Sequence, residues 1–310
     1  MFTYFIRKLL YLIPTILVVS FSIFVFLNVM PGDAALLSGN PRGGTDSRVI
    51  EGLRAEWGLD QPLYIRYGKY LWNLIHGNLG ISFRLGMPVN KVINERLGPT
   101  FRLAIASMLF AILGGVSLGC ISAFHQGSWL DLSAMIAAVA GMSVPNFWLG
   151  LMLIYFVGVK LQLLPTSGYG HGDLRYILLP MITLGARYMA LLARITRASV
   201  LEVLDLDYVI TARSKGITEV HIQIKHILRN ALIPVVTIIG MQFGSMLAST
   251  VVVETVFTWS GVGSLLVESI FRRDVPILQG CILLIAAVFL ILNLFVDLLY
   301  TQIDPRITYS

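Results

Sequence analysis

Residues 101–124 read Phe-Arg-Leu-Ala-Ile-Ala-Ser-Met-Leu-Phe-Ala-Ile-Leu-Gly-Gly-Val-Ser-Leu-Gly-Cys-Ile-Ser-Ala-Phe, with Arg102 as their one charge. A run of about 18 or more apolar residues is what a hydrocarbon core of roughly 30 Å demands of a spanning helix. Further blocks of this kind lie at 9–30, 132–159, 177–193, 231–253 and 278–300, and the stretches between them carry nearly all the charge. Backbone groups in lipid must bond within their own segment, so the blocks predict helices; the ~10-residue alternation of a membrane barrel is absent. Composition agrees, with 56% hydrophobic and 13% charged residues, about half the charged share of a soluble domain. The fold class is all-α integral membrane, with about six transmembrane helices.

Arg7 and Lys8 ahead of the first block imitate a secretory signal, but the apolar run continues from Leu9 to about Met30 without a small-residue cleavage site and reads as a retained span. Six spans place both termini on one side. Arg7, Lys8, the loop basics Arg194, Arg197, Arg213, Lys215, Lys225 and Arg229, and Arg306 lie on that side; the opposite short loops hold Lys160, Arg175, Arg272 and Arg273. The positive-inside rule therefore puts both termini in the cytoplasm. The net charge of +6 follows from this topology and gives no reason to expect nucleic acid. The chain divides into 1–30, the cytoplasmic start and first span; 31–98, an extracytoplasmic insertion; 99–303, a five-helix core containing a cytoplasmic loop at 201–230; and 304–310, a cytoplasmic tail. Within the insertion, Asp46 or Ser47 predicts a short helix ending near Trp57 with Gly58 beyond it, and Pro62 opens another through Tyr64, Tyr67, Tyr70, Leu71 and Leu74. Its aromatic spacing suits the membrane surface, either as a packed cap or as a docking site for an external partner.

Gly115, Ser117 and Gly119 form a Gly-x-Ser-x-Gly string, the pattern of a hydrolase elbow. That elbow needs a strand-to-helix turn, whereas this string lies mid-span, and His76, His125, His171, His221 and His226 all fall outside the blocks. An intramembrane serine protease around Ser117 is thus a remote alternative. Small residues four apart, here and at Gly240 and Gly244, instead predict close helix packing. Cys120 and Cys281 lie in apolar blocks and read as small hydrophobes. No phosphate-binding loop and no zinc motif is present, so no cofactor is expected in this chain. Ionisable residues within or beside the blocks are Arg102, Arg187, Glu254 and Asp297. Three sit near span ends, but Arg187 lies well inside and requires a carbonyl or a water-filled cavity.

The segment 201–234 reads Leu-Glu-Val-Leu-Asp-Leu-Asp-Tyr-Val-Ile-Thr-Ala-Arg-Ser-Lys-Gly-Ile-Thr-Glu-Val-His-Ile-Gln-Ile-Lys-His-Ile-Leu-Arg-Asn-Ala-Leu-Ile-Pro. Asp207 is placed to cap a short helix closed by Lys215 and Gly216, and Thr218 to open a second, with Pro234 at the entry to the fifth span. Two short helices hinged at a glycine make a knob, and on its physics alone such a knob is either a docking element or surface packing.

This segment resembles the EAA loop of ABC-type import permeases, the knob that inserts into the ATP-hydrolysing subunit. Ala212 and Gly216 match that motif's second Ala and its Gly, while Ile210 and Thr211 stand where Glu and Ala are usual. The long interval from Gly216 to Pro234 is similar to the peptide and nickel branch. So are Pro31-Gly32-Asp33, Leu59-Asp60-Gln61-Pro62-Leu63-Tyr64, Gly77-Asn78-Leu79-Gly80-Ile81-Ser82, His226 through Val236, Arg272-Arg273-Asp274 and Asn293 through Arg306. Ser260 and Val275 depart from the branch, which has Pro and Tyr there. The resemblance implies a type I ABC importer permease in the bacterial inner membrane. Asp207, Tyr208, Ala212, Arg213, Lys215, Gly216, His226, Arg229 and Asn230 would form its ATPase-coupling loop. It further implies a second homologous permease chain, two ATP-binding subunits that hold ATP and Mg, and an external solute-binding protein. The expected cargo is a dipeptide, oligopeptide or glutathione, with nickel or a metal chelate as the alternative.

Overall fold

The computed structural model describes residues 2–29 and 60–303, and its regular elements there are helices, beside an isolated bridge between Ile81 and Pro88. In chain order they are α1 (Phe2–Val29), α2 (Leu63–Ile75), α3 (Val89–Phe124), α4 (Trp129–Ser143), α5 (Asn146–Lys160), α6 (Arg175–Leu204), α7 (Asp207–Ser214), α8 (Glu219–Val256), α9 (Val262–Arg272) and α10 (Val275–Ile303). Pro31-Gly32-Asp33, the Asp46-to-Gly58 helix, Leu59, the 304–310 tail with Arg306, and the side chains of Arg7, Lys8 and Asp297 lie outside the described residues.

Among the described residues four helices are long and apolar enough to span a bilayer: α3, α6, α8 and the Val275–Val296 part of α10. The block at 132–159 is a fifth only as a broken pair, because α4 and α5 meet at 106°. The break has a local cause. Pro145 disfavours the helical conformation at the residue before it, and Val144 and Pro145 are both extended (ψ 125° and 136°). The first block is helical throughout α1, but its described apolar stretch, Ile13–Phe26, is shorter than a span by itself. The expected helix after Pro62 is α2, with Pro62 in the N-cap position.

Helices outrun the apolar blocks at three ends. α3 begins at Val89 rather than Phe101, α6 continues to Leu204 and α8 starts at Glu219. Arg194 and Arg197, expected in a loop, are therefore helical. The early turns of α3 are polar on one side but place Val89, Val92 and Ile93 on the other, where they pack with Val262, Leu265, Ile277 and the buried Cys281. Thr100 Oγ1 accepts the Val262 N–H at 2.8 Å, which satisfies one free donor at the start of α9.

Contacts divide the chain into two units, Met1–Thr100 with Ser260–Leu290, and Phe101–Trp259 with Ile291–Ser310. In the first, Tyr67 of α2 packs its ring on Phe21 and Phe24 of α1 and shares a hydrogen bond with Ser20 (3.0 Å). Asp274, 2% exposed, gathers a loop: the Ser82 hydroxyl and the Phe83 and Arg84 N–H groups all donate to it. The Gly77–Ser82 and Arg272–Asp274 motifs thus meet in space.

In the second unit α3 and α6 approach through glycine. A Cβ on Gly115 would sit 2.7 Å from the Met189 carbonyl oxygen, one on Gly119 2.5 Å from that of Ala193, and one on Gly185 2.8 Å from that of Ser107. Lipid supplies no hydrophobic drive between helices, so this backbone proximity is where dispersion is gained. Ser117 lies on the outward, exposed face of α3. Gly240 likewise abuts Val296 of α10. Arg102 donates to the Tyr169 hydroxyl at 3.3 Å, and Glu254 is fully buried.

Candidate functional site

α6 ends at Leu204, and the chain turns through Asp205 and Leu206 into α7. The expected Asp207 cap is not formed. Leu206 holds the N-cap position (φ −79°, ψ 143°), and its side chain has nothing to accept a hydrogen bond. Asp207 is the first helical residue; its charge complements the positive end of the helix, and its carbonyl accepts from Thr211 Oγ1 at 2.9 Å.

The other end of α7 is the one expected. Gly216 adopts φ +75°, a left-handed value open to glycine at little cost. Its N–H donates to the Arg213 carbonyl (3.0 Å) and the Ile217 N–H to that of Ala212 (3.3 Å). This nested pair is the Schellman closure, which satisfies carbonyls that a helix end leaves free. Ile217 completes it by packing against the cluster that contains the buried Ala212. Thr218 then stands in the N-cap position of α8 but makes no side-chain cap.

The underside of the knob is apolar and sealed. Val209, Ala212, Ile222 and Ile227 are buried with Ala123 of α3, Val200 and Val203 of α6, and Ala231 of α8. A displacement of α7 is therefore resisted by the ends of three spans at once. The upper side is different. Ile210, Val220 and Ile224 are 53–65% exposed, beside exposed Arg213, Lys215, Lys225 and Arg229.

Three of the nine expected residues converge. The Tyr208 hydroxyl donates to the His226 carbonyl (3.2 Å) and accepts from Asn230 Nδ2 (2.8 Å), which also donates to that carbonyl (3.2 Å). His226 lies in a π-helical stretch, Ile222–Leu228, of the kind often found at functional sites. The side chains of Lys215 and Arg229 have no hydrogen-bond or ion-pair partner among the described residues.

Two partners were not read from the sequence. Glu219 closes the Gly216 turn by a forked pair with Arg213 (2.8 and 3.3 Å), and its carboxylate holds that guanidinium above its ordinary range. With both side chains about half exposed, the pair contributes at most ~1 kcal/mol; its role is to set the turn's shape. An acidic residue directly after Thr218 was the available signal. The second partner is Asp131, at the start of α4. It accepts from Arg197 Nε (2.7 Å) and Nη2 (2.8 Å), from Gly127 N–H (3.0 Å) and from the Ser122 hydroxyl. No local pattern joins residues this far apart in sequence.

The family described as "Binding-protein-dependent transport system inner membrane component" matches residues 115–309, and the corresponding N-terminal component matches residues 1–104. The chain is 45% identical over 310 residues, covering 100% of both, to the glutathione transport system permease protein GsiC of Escherichia coli. The protein of that name from Shigella dysenteriae matches at the same identity and coverage. Among solved structures, the inward-facing MetNI methionine ABC transporter aligns with 69% of this chain and 96% of its own (TM-score 0.58, 15% identity). An amino acid ABC transporter with histidines aligns with 70% of this chain and 94% of its own (TM-score 0.53, 19% identity).

Proposed function

The chain belongs to the family of binding-protein-dependent transport system inner membrane components, and from that premise we propose that it carries short peptides, glutathione among them, into the cell. It is a permease subunit of an ABC importer and a multi-pass membrane protein. In this reading it pairs with a second, similar permease chain, and two ATP-binding subunits bind and hydrolyse the nucleotide. The 201–230 knob docks into one of those subunits on the cytoplasmic side, where both termini lie. A solute-binding protein delivers cargo from outside.

The observation that carries the coupling role is the two-sided knob. Its underside is locked onto the ends of α3, α6 and α8, while Ile210, Val220 and Ile224 stand in the open beside basic residues. Apolar side chains on a charged, water-facing element suit a groove in a soluble partner. Closure of the ATPase dimer would push the knob, and the sealed underside would pass that push to the spans as a rigid-body rotation.

Uptake of labelled glutathione, dipeptide and nickel by cells with and without this chain, partner subunits present, tests the cargo. Deleting the chain is expected to remove glutathione or dipeptide uptake and leave nickel untouched; loss of nickel uptake alone would overturn the peptide reading. Orientation has its own test: a Lys215→Cys variant is expected to react with an impermeant thiol reagent only in inside-out vesicles. Labelling in intact cells would reverse the topology.

A further inference from the structure

α6 is the most enclosed of the candidate spans, with 56% of its apolar window buried against 28–33% in α3, α8 and α10. Its exposed positions are Arg175 at its outer end, then Arg187, Arg194, Ala198 and Glu202. The last four are spaced 7, 4 and 4, which places them on one face of a helix. That face holds no exposed large apolar residue. α3 is the contrast, for Ile105, Leu109 and Leu113 form an exposed apolar stripe suited to lipid. The side chains of Arg187 and Arg194 have no hydrogen-bond or ion-pair partner among the described residues, whereas that of Arg197, on the neighbouring face, is held by Asp131.

Arg187 is 12 residues beyond Arg175 and 17 before Leu204. The apolar block on this helix, 177–193, begins ten residues before Arg187 and ends six after it, so at 1.5 Å per residue Arg187 lies about 15 Å and 9 Å inside the block. A guanidinium facing hydrocarbon there is costly enough that such residues turn to water or to a polar partner. A permease needs one wetted wall through its middle. The charged face of α6 is the surface of this chain built for it.

We infer that Arg187 and Arg194 line the translocation path and hold the carboxylates of the passing substrate, as two stations about 10 Å apart along the helix. The inference deepens the peptide reading and rests on it, because peptides and glutathione carry the carboxylates these side chains suit. Guanidinium takes a carboxylate through two parallel hydrogen bonds yet remains water-solvated when empty. Grip and release therefore suit a path.

The complete complex, expressed with its partner subunits, provides the test. Wild-type uptake of labelled glutathione establishes the peptide reading by itself. Against that baseline, Arg187→Gln is expected to lower uptake about tenfold, the loss of one charge-assisted contact, while the solute-binding protein still stimulates ATP hydrolysis as in wild type. Arg187→Lys is expected to retain most of the uptake. Independently, Arg187→Cys in a Cys120→Ala, Cys281→Ala background is expected to be alkylated by a small charged thiol reagent, since the position meets water. Absent alkylation in the assembled complex, or unchanged uptake in Arg187→Gln, would overturn the assignment. So would failure of Arg187→Gln to assemble when Arg187→Lys does, which would make the arginine a subunit contact.

Discussion

Gly216→Pro is expected to reduce uptake to background while leaving the membrane-embedded complex assembled. The position tolerates added atoms, since a Cβ there would meet nothing within 4 Å. The constraint is conformational. Gly216 has φ +75° and donates to the Arg213 carbonyl, whereas proline fixes φ near −65° and has no N–H to give. Both halves of the Schellman closure would be lost, and with them the register that brings Ile217 onto Ala212 and Arg213 onto Glu219. An ordinary L-residue pays only about 1–2 kcal/mol for the left-handed region, so Gly216→Ala is expected to retain part of the uptake. Gly216→Asn, which visits that region more readily, should retain more. Uptake and binding-protein-stimulated ATP hydrolysis measured across the three variants separate a coupling turn from a passive one. Normal uptake in the proline variant would remove the coupling role from residues 201–230.

That turn was legible in the sequence because a left-handed residue after a helix leaves a local mark, a glycine following a basic last turn. The spans were legible for a similar reason, since lipid demands long apolar runs. Their ends were not. The first turns of α3 carry Asn90, Lys91, Asn94, Glu95 and Arg96, so an apolar count stops at Phe101, although Val89, Val92 and Ile93 already marked a buried face. The same holds for α8, whose start at Glu219 lies twelve residues ahead of its apolar block. The bend at Pro145 leaves no gap in the apolar pattern, because apolar residues continue on both sides of it, even though proline constrains the residue before it. The cap at Asp207 failed by one position: an acidic residue suits both the N-cap and the first turn, and sequence alone does not separate them. Arg187 was visible as an outlier in its block. Its membership of a charged face became visible only once packing showed which sides of α6 are covered.

Contacts across the chain leave no local mark at all, and the pair that matters most is of this kind. Asp131→Ala is expected to destabilise the subunit by about 1.5–3 kcal/mol, the range for losing charge-assisted hydrogen bonds. The carboxylate is almost covered and Arg197 is only a quarter exposed (8% and 25%). Removal would strand the guanidinium and also free two further donors, Ser122 Oγ and Gly127 N–H. One carboxylate therefore ties the end of α3, the turn into α4 and the lower part of α6, beside the ends that seat the knob. Loss of the tie is expected to lower the melting temperature of the purified complex and the amount recovered from membranes. Arg197→Lys should cost less than Arg197→Ala, because an ammonium keeps the charge but not the two-pronged contact. Exchanging the two residues should not rescue, for Ser122 and Gly127 present donors that fit a carboxylate and oppose a guanidinium. The decisive comparison is a double-mutant cycle with Asp131→Ala and Arg197→Met. A coupling of about 0.5–3 kcal/mol, with the double variant more stable than Asp131→Ala alone, would establish the tie. Additive losses would mean that the two side chains act on the fold independently.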